Sequence, residues 1–400
     1  MTDRIPLTLA LLEQWLSEHH ISIRRDVINH MIQVYGISAD YDEETLETDL
    51  HIILHDRLKS EYRCSASAVS DMIGVIAGKN RFNPVLEMMA AAPPWDGVDR
   101  EKELREILHI ADEDKLSSVL LHKGLLQAMS LAKNEIATAY GADGILVFTG
   151  PQGIGKTSLV RVLAVRPELA KLGQYLDSRD KDTIRRCTSC WICEWGEIET
   201  TFKSDLERLK AFITAEVDQY RVPYGRRDQR LVRRTSIIAT CNSARFLIDP
   251  SGSRRFWTIP VTQIDLQRLA RFDALQLWKQ IEIEVTANRQ CFRLTKDEQA
   301  ALARRNCEHE KPLRSQMEVE DILANAELSP SGYQWQYMTV SDFKSQHPSL
   351  QVYSVESIGR ALDRLGIEPN RKTVDGKQCR VRYLPCLKWS MAAKQYTRYG

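Results

Sequence analysis

No run of about 18 consecutive apolar residues occurs anywhere in the 400-residue chain, so no membrane-spanning helix is expected. The opening residues, MTDRIPLTLALLEQW, lack a basic start followed by a clean apolar stretch and a small-residue cleavage site. A secretory leader is therefore not expected. Nine cysteines, an odd number, are scattered along the chain without a paired framework, which fits free thiols in a reducing cytoplasm. Cys187, Cys190 and Cys193 have the two-residue spacing of metal ligands. They lack a fourth ligand at motif spacing, and Cys193 falls inside an apolar run, so small buried thiols are expected in place of a metal centre. A charge excess of one sign is also lacking: the formal net charge is +1, with 27 % charged residues. That balance conceals local concentrations of arginine. With 43 % hydrophobic residues the chain can bury a sizeable core, and its length suggests two to three domains.

What is present begins with Ile145 to Ser158, ILVFTGPQGIGKTS. Ile145 to Phe148 reads as a buried strand. Gly150 to Thr157 fits G-x-x-x-x-G-K-[ST] at every fixed position, and Ser158 to Ala164 has the apolar spacing of a helix. This strand, loop and helix order predicts a P-loop. Gly150, Pro151, Gln152, Gly153, Ile154, Gly155, Lys156, Thr157 and Ser158 are the expected nucleotide-binding residues. The glycines let backbone N–H groups turn inward around phosphate oxygens at a helix N-terminus. Lys156 is expected to reach the β- and γ-phosphates of ATP, and Thr157 to hold Mg²⁺.

A P-loop enzyme also needs acidic residues at the end of a neighbouring strand. Trp191 to Glu199, WICEWGEIE, supplies Glu194 for the metal shell and Glu197 for orienting or polarising a water. A plain surface carboxylate pair is the alternative. Ser236 to Asn242 reads as a third buried strand, with the Asn242 amide placed to orient water. Arg254 and Arg255 stand on a Gly/Ser turn ahead of the strand Phe256 to Val261. They are candidate charge stabilisers, acting in cis or on a neighbouring subunit's nucleotide, against a structural turn with solvated arginines.

The flanking regions read as follows. Residues 1–93 carry helical spacing, including Leu7 to Trp15 and Val27 to Val34, and predict a helical domain. Residues 94–290 hold the nucleotide motifs, 291–314 a charged helical connector, and 315–400 a further domain. From Tyr220 to Arg234 six arginines stand against one acid, Asp228, with Tyr220 and Tyr224 interleaved. Such a loop suits a nucleic-acid backbone, or is a solvated basic face. In the last domain Val319 to Ala326, Thr339 to His347 and Ser354 to Leu365 read as helices, with a hairpin over Lys372 to Tyr383 around Asp375-Gly376. Three helices and a hairpin make a winged-helix pattern. Residues 371–400 hold eight basic residues against Asp375, which suggests DNA, the alternative being protein docking.

PPWDGVDR ahead of the P-loop, the WI-x-E-x-x-E strand, and the run LKAFITAEVDQYRVPYGRR…ATCNSARFLIDPSGSRRFW together resemble the virulence-associated protein E family of prophages and phage satellites. The resemblance covers roughly residues 80–265, and PYGRR and GSRRFW are its specific part. It implies an α/β fold with an AAA+-type P-loop ATPase core, close to superfamily 3 replicative helicases and acting as a hexamer-like ring in the bacterial host cell. Lys156 and Thr157 then match Walker A, Glu194 and Glu197 match Walker B, and Asn242 matches sensor 1. Arg254 and Arg255 match the arginine-finger or sensor position. The segment from Lys210 to Arg227 resembles the part whose hairpin faces DNA, making Lys210, Tyr224, Arg226, Arg227 and Arg230 the expected DNA contacts. Many relatives carry a primase domain, but residues 1–93 show neither an acidic triad nor zinc-ribbon spacing.

Two functions follow. The first is an ATP-dependent helicase or translocase on single-stranded or forked DNA. The second is an ATP-switched loader or interaction module acting on host or phage replication proteins without unwinding. A small-molecule kinase fits poorly, since the winged-helix pattern would have no role in it.

Overall fold

The computed structural model describes residues 4–37, 45–177, 179–196, 198, 206–220, 228–242, 247, 254–309, 314–329, 332–374 and 377–387. The chain divides into two compact units, Met1–His309 and Glu310–Gly400.

The first unit opens with a small mixed layer. The helix Leu9–Glu18 precedes strands β1 (Ser22–Asp26) and β2 (Ile32–Tyr35), the helices Leu46–Leu58 and Ala66–Lys79, and β3 (Arg81–Phe82). β1 pairs antiparallel with β2 and parallel with β3. Leu12, Trp15, Leu50, Leu54 and Ile73 form the core beneath this sheet. Residues 27–34 are therefore a turn and a strand, not the helix that their apolar spacing suggests. The reason is local. The Asp26 carboxylate accepts from the backbone N–H groups of Ile28 (2.6 Å) and Asn29 (3.3 Å), and Asn29 accepts from Met31 N–H at 2.8 Å. Asx-type turn chemistry of this kind competes directly with helix. His30, at φ 66°, completes the reversal.

After the helices Pro84–Ala91, Arg100–Ile107 and Lys115–Ala132 comes a five-stranded sheet. Its strands are β4 (Ile145–Thr149), β5 (Ala170–Gln174), β6 (Ile192–Trp195), β9 (Ser236–Cys241) and β10 (Phe256–Pro260). The spatial order is β10-β4-β9-β6-β5, with every neighbouring pair parallel. A hairpin, β7 (Val217–Tyr220) with β8 (Gln229–Val232), is inserted between β6 and β9.

Parallel sheets bury both faces, and alternate residues serve opposite faces. Here Leu146, Phe148, Ile192, Ile238, Trp257 and Ile259 enter one core, which also takes the helices Lys115–Ala132, Lys156–Leu163 and Ala274–Ala287. Ile145, Val147, Cys193, Trp195, Ile237, Ala239 and Phe256 enter the other, against Leu209 and Phe212. Cys187, Cys190 and Cys193 all pack in this second core.

The segment expected to connect domains is docked instead. Its helix, Lys296–Glu308, starts in a Thr295/Glu298 capping box and lies against β10. Asn306 Nδ2 donates to Phe256 O at 2.9 Å, and Thr258 Oγ1 donates to Asn306 Oδ1 at 2.7 Å.

The second unit contains the helices Arg314–Leu328, Val340–Gln346 and Val355–Arg364, with Thr339 and Ser354 as N-caps of the latter two. Strands β11 (Tyr333–Met338), β12 (Asn370–Val374) and β13 (Lys377–Leu387) form an antiparallel sheet in the order β11-β13-β12. Val319, Met338, Phe343, Ile358, Leu362 and Leu384 are its core. β11, YQWQYM, is an addition to the expected pattern. Among the described residues no helix is long and apolar enough to cross a membrane.

Candidate nucleotide site

β4 runs into the loop 150–155, and the helix Lys156–Leu163 follows. The loop lies at the C-terminal edge of the parallel sheet, where open α/β folds place their ligands. Gly155 sits at φ 99°, and an added Cβ there would lie 2.4 Å from Leu266 Cδ2. At Gly150 a Cβ would lie 1.9 Å from the Val261 carbonyl oxygen, so close approach of backbone requires glycine at that position.

The loop forms one wall of a cavity of about 550 Å³. Gln152, Gly153, Gly155, Lys156 and Thr157 line it from the loop, while Glu194, Thr240 and Asn242 line it from the ends of β6 and β9. Lys156 is only 7 % exposed. Its ammonium donates to Gly150 O and Pro151 O, both at 2.7 Å, and to Asn242 Oδ1 at 3.0 Å. Thr157 Oγ1 donates to Glu194 Oε1 at 2.7 Å, and Thr240 Oγ1 donates to the same oxygen at 3.3 Å. The other carboxylate oxygen accepts from Gly173 N–H at 3.0 Å.

Strand parity explains why Glu194 points here. Cys193 and Trp195 enter the opposite core, so Glu194 shares the face of Ile192, on which the helix Lys156–Leu163 packs. Its cross-strand neighbour is Ile238, and Thr240, two residues further along β9, stands on the same face. The carboxylate is 1 % exposed, and the contacts with Thr157, Thr240 and Gly173 compensate its burial. The Thr157 hydroxyl and the Glu194 carboxylate form an all-oxygen donor set, which fits a hard divalent cation such as Mg²⁺.

The structure thus brings together Lys156, Thr157, Glu194 and Asn242. Of the other expected nucleotide contacts, Gly150 and Pro151 touch the lysine through their carbonyls, and Ile154 packs against the core. Ser158 follows in the helix. Arg254 and Arg255 are elsewhere. They directly precede β10, whose Phe256 pairs with Ile145 at the start of β4. They therefore lie at the N-terminal edge of the sheet, a strand length of roughly 17 Å from the edge that carries the loop 150–155. Three cavity residues escaped the sequence reading, Gly173, Tyr175 and Gly196. The first two lie at and just past the end of β5, in a stretch, AKLGQY, with no clear periodicity, where the glycine at φ 60° was the available signal; Gly196 directly follows β6.

Among the expected DNA contacts, Arg230 is exposed on β8. Lys210 is only 4 % exposed, because the helix Leu206–Ile213 turns it inward, and a phosphate would not reach it there. Glu197, Tyr224, Arg226 and Arg227 lie outside the described residues. Arg233, part of the same basic run, is 2 % exposed and bidentate to Asp218.

A family model for the virulence-associated protein E-like domain matches residues 88–311. The chain belongs to this family. The match takes in the glycine-rich loop 150–155, the β6 carboxylate and the docked helix Lys296–Glu308. Among solved structures, the chain is similar to the apo C-terminal region of NrS-1 (residues 305–718 of that protein). The identity is 14 % and the TM-score 0.49, with 94 % of this chain and 99 % of that one covered. A second form of the same region gives 13 % identity and a TM-score of 0.48. A search of curated proteins finds no match.

Proposed function

We propose that this member of the virulence-associated protein E-like family is an ATPase that couples hydrolysis to movement along DNA. It would work as a ring of subunits in phage or phage-satellite replication. The observation that supports the reading is the convergence of Lys156, Thr157, Glu194 and Asn242 on one cavity at the carboxyl edge of the parallel sheet. Backbone N–H groups of residues 152–157 cradle phosphate oxygens, and the Lys156 ammonium neutralises the charge of the β- and γ-phosphates. Thr157 and Glu194 would hold Mg²⁺, which when bound supplies Lewis-acid polarisation of phosphoryl oxygens. Asn242, already hydrogen-bonded to Lys156, ties the position of the lysine to the end of β9 and offers its amide to an attacking water. Glu197 retains the expected role of water-polarising carboxylate.

Arg254 and Arg255 stand at the far edge of the sheet, so they serve the cavity of a neighbouring subunit. The basic run through Tyr224, Arg226, Arg227 and Arg230 contacts DNA. The second unit, with its helices, hairpin and the cations Arg371, Lys372 and Arg380, fits a winged helix that adds affinity for DNA.

The test is the ATP hydrolysis rate with and without single-stranded and forked DNA at low and high salt, alongside fork unwinding by the purified protein. Salt-sensitive stimulation by DNA and unwinding are expected, with both abolished in Lys156→Ala. Hydrolysis in Lys156→Ala equal to wild type would refute the site. Hydrolysis indifferent to every DNA, without unwinding, would replace translocation by a nucleotide-switched loader.

A further inference from the structure

Four arginines face a second cavity, of about 460 Å³, where the N-terminal sheet meets the β7–β8 hairpin: Arg25, Arg81, Arg230 and Arg234. Glu135 is the single carboxylate among its lining residues. Among the described residues none of the four has an ion-pair partner. The contacts they make are few for groups with five donors each. Arg25 Nη1 donates to His30 O at 3.4 Å, and Arg234 Nη1 donates to Val27 O at 3.2 Å. Burial and then the charge of Arg81 lower the pKa of both Arg25 and Arg234, the latter to about 10. Like charges gathered this closely in a concave, partly desolvated site are complementary to an anion.

His30 is shared between this cavity and a third, of about 280 Å³. Burial, followed by the fields of Arg234, Arg25 and Arg81, holds its pKa down to about 3, so the ring is a neutral partition. On its far side stand Lys171, Arg185 and Arg186. Lys171 donates to Ser189 Oγ at 2.6 Å, Arg186 donates to Thr183 Oγ1 at 3.3 Å, and Arg185 lies 3.8 Å from the exposed Asp182. The Tyr220 ring meets His30 edge-on at 6.1 Å and lines this third cavity.

We propose that the two cavities form one track for the sugar–phosphate backbone of a single DNA strand, separate from the nucleotide cavity. One phosphate group would satisfy one basin. Cations divided between two basins that share a wall match the repeating charge of a strand. The inference rests on the DNA reading above, and it adds the N-terminal sheet to the surfaces that contact the strand.

The experiment is fluorescence anisotropy of the full chain with a labelled oligothymidylate, titrated between 50 and 200 mM salt. Arg81 and Arg186 are exposed and lie outside the nucleotide cavity. Arg81→Gln and Arg186→Gln should each reduce the steepness of log K against log salt by about 0.7. The double variant should bind about tenfold more weakly while its DNA-free ATP hydrolysis stays at the wild-type rate. Arg81→Lys, which keeps the charge, should keep the slope. Wild-type affinity and slope in the double variant would overturn the track and leave the DNA reading standing. Absence of binding by the wild type at 50 mM salt would remove the DNA reading, and the track with it.

Discussion

The run YRVPYGRRDQRLVRR reads as a nucleic-acid surface, yet Arg233 within it is a structural residue, and replacing it separates the two roles. Its guanidinium is bidentate to Asp218, which is itself 6 % exposed, donates to Phe212 O at 3.3 Å, and lies 4.4 Å over the Phe212 ring. Arg233→Ala leaves the Asp218 carboxylate buried with no counter-charge, and losses of that kind cost about 3–5 kcal/mol. For a unit of this size that corresponds to a fall in Tm of about 5–8 °C. Replacing both partners with apolar residues of similar volume, Arg233→Met with Asp218→Leu, should recover more than half of the loss, because neither charge then remains buried. Urea unfolding and thermal melts of wild type, both single variants and the double variant give the cycle. Among variants that stay folded at the assay temperature, DNA affinity and its salt slope should be unchanged. An Arg233→Ala protein melting within about 2 °C of wild type would refute the assignment, and a flattened salt slope would return Arg233 to the DNA surface.

Glu194→Gln should retain ATP binding and lower turnover by about 100-fold or more, because it weakens the oxygen set for the metal; nucleotide binding and single-turnover hydrolysis distinguish the two steps. Gly155→Ala places a Cβ 2.4 Å from Leu266 Cδ2 at φ 99°, so nucleotide affinity should drop sharply, and an undiminished Kd would count against the loop geometry. Stability against pH has opposing terms in the first turn. Burial raises the Asp26 carboxyl to about 6, which favours the fold at low pH and is lost as pH rises from about 4 to 6. His30, held down to about 3, contributes fully above pH 6.5 and loses that contribution as pH falls. The two nearly cancel between pH 4 and 6. Asp26→Asn should therefore steepen the loss of stability on acidification by about 1.4 kcal/mol per pH unit in that window, read from urea midpoints; a profile parallel to wild type would contradict it.

The grouping of residues at the carboxyl edge of the five-stranded sheet was legible where spacing carries chemistry. Gly150 to Thr157 and Glu194 are sequence-local signals, and the structure brings Lys156, Thr157, Glu194 and Asn242 to one place. Less legible were the parts governed by side-chain turns and by remote partners. Val27 to Val34 has helical apolar spacing, but Asp26 and Asn29 fold it into a turn. Arg233 looks like its neighbours until Asp218, 15 positions earlier, is seen beneath it. In the second unit Thr339 and Ser354 announced their helices as caps. Tyr333 to Met338 alternates as a strand should, but it pairs with residues about 50 positions later, and nothing nearby in sequence advertises that partner. The arginines of the His30 cavities come from four separate segments, so no window of the sequence contains the cluster.

The face that a strand residue occupies is a two-valued quantity. In β6 the carboxylate of Glu194 meets Thr157 of the helix Lys156–Leu163, while its neighbours Cys193 and Trp195 enter the opposite core. Shortening or lengthening this strand by a single residue cannot displace the carboxylate slightly. It would exchange Glu194 for cysteine or tryptophan at the cavity and drive a charge among Leu209, Phe212 and Ile237. Length changes in the loops on either side leave that choice untouched. The site is therefore protected against drift in its surroundings and exposed to single-residue insertion or deletion at one short place, four residues long.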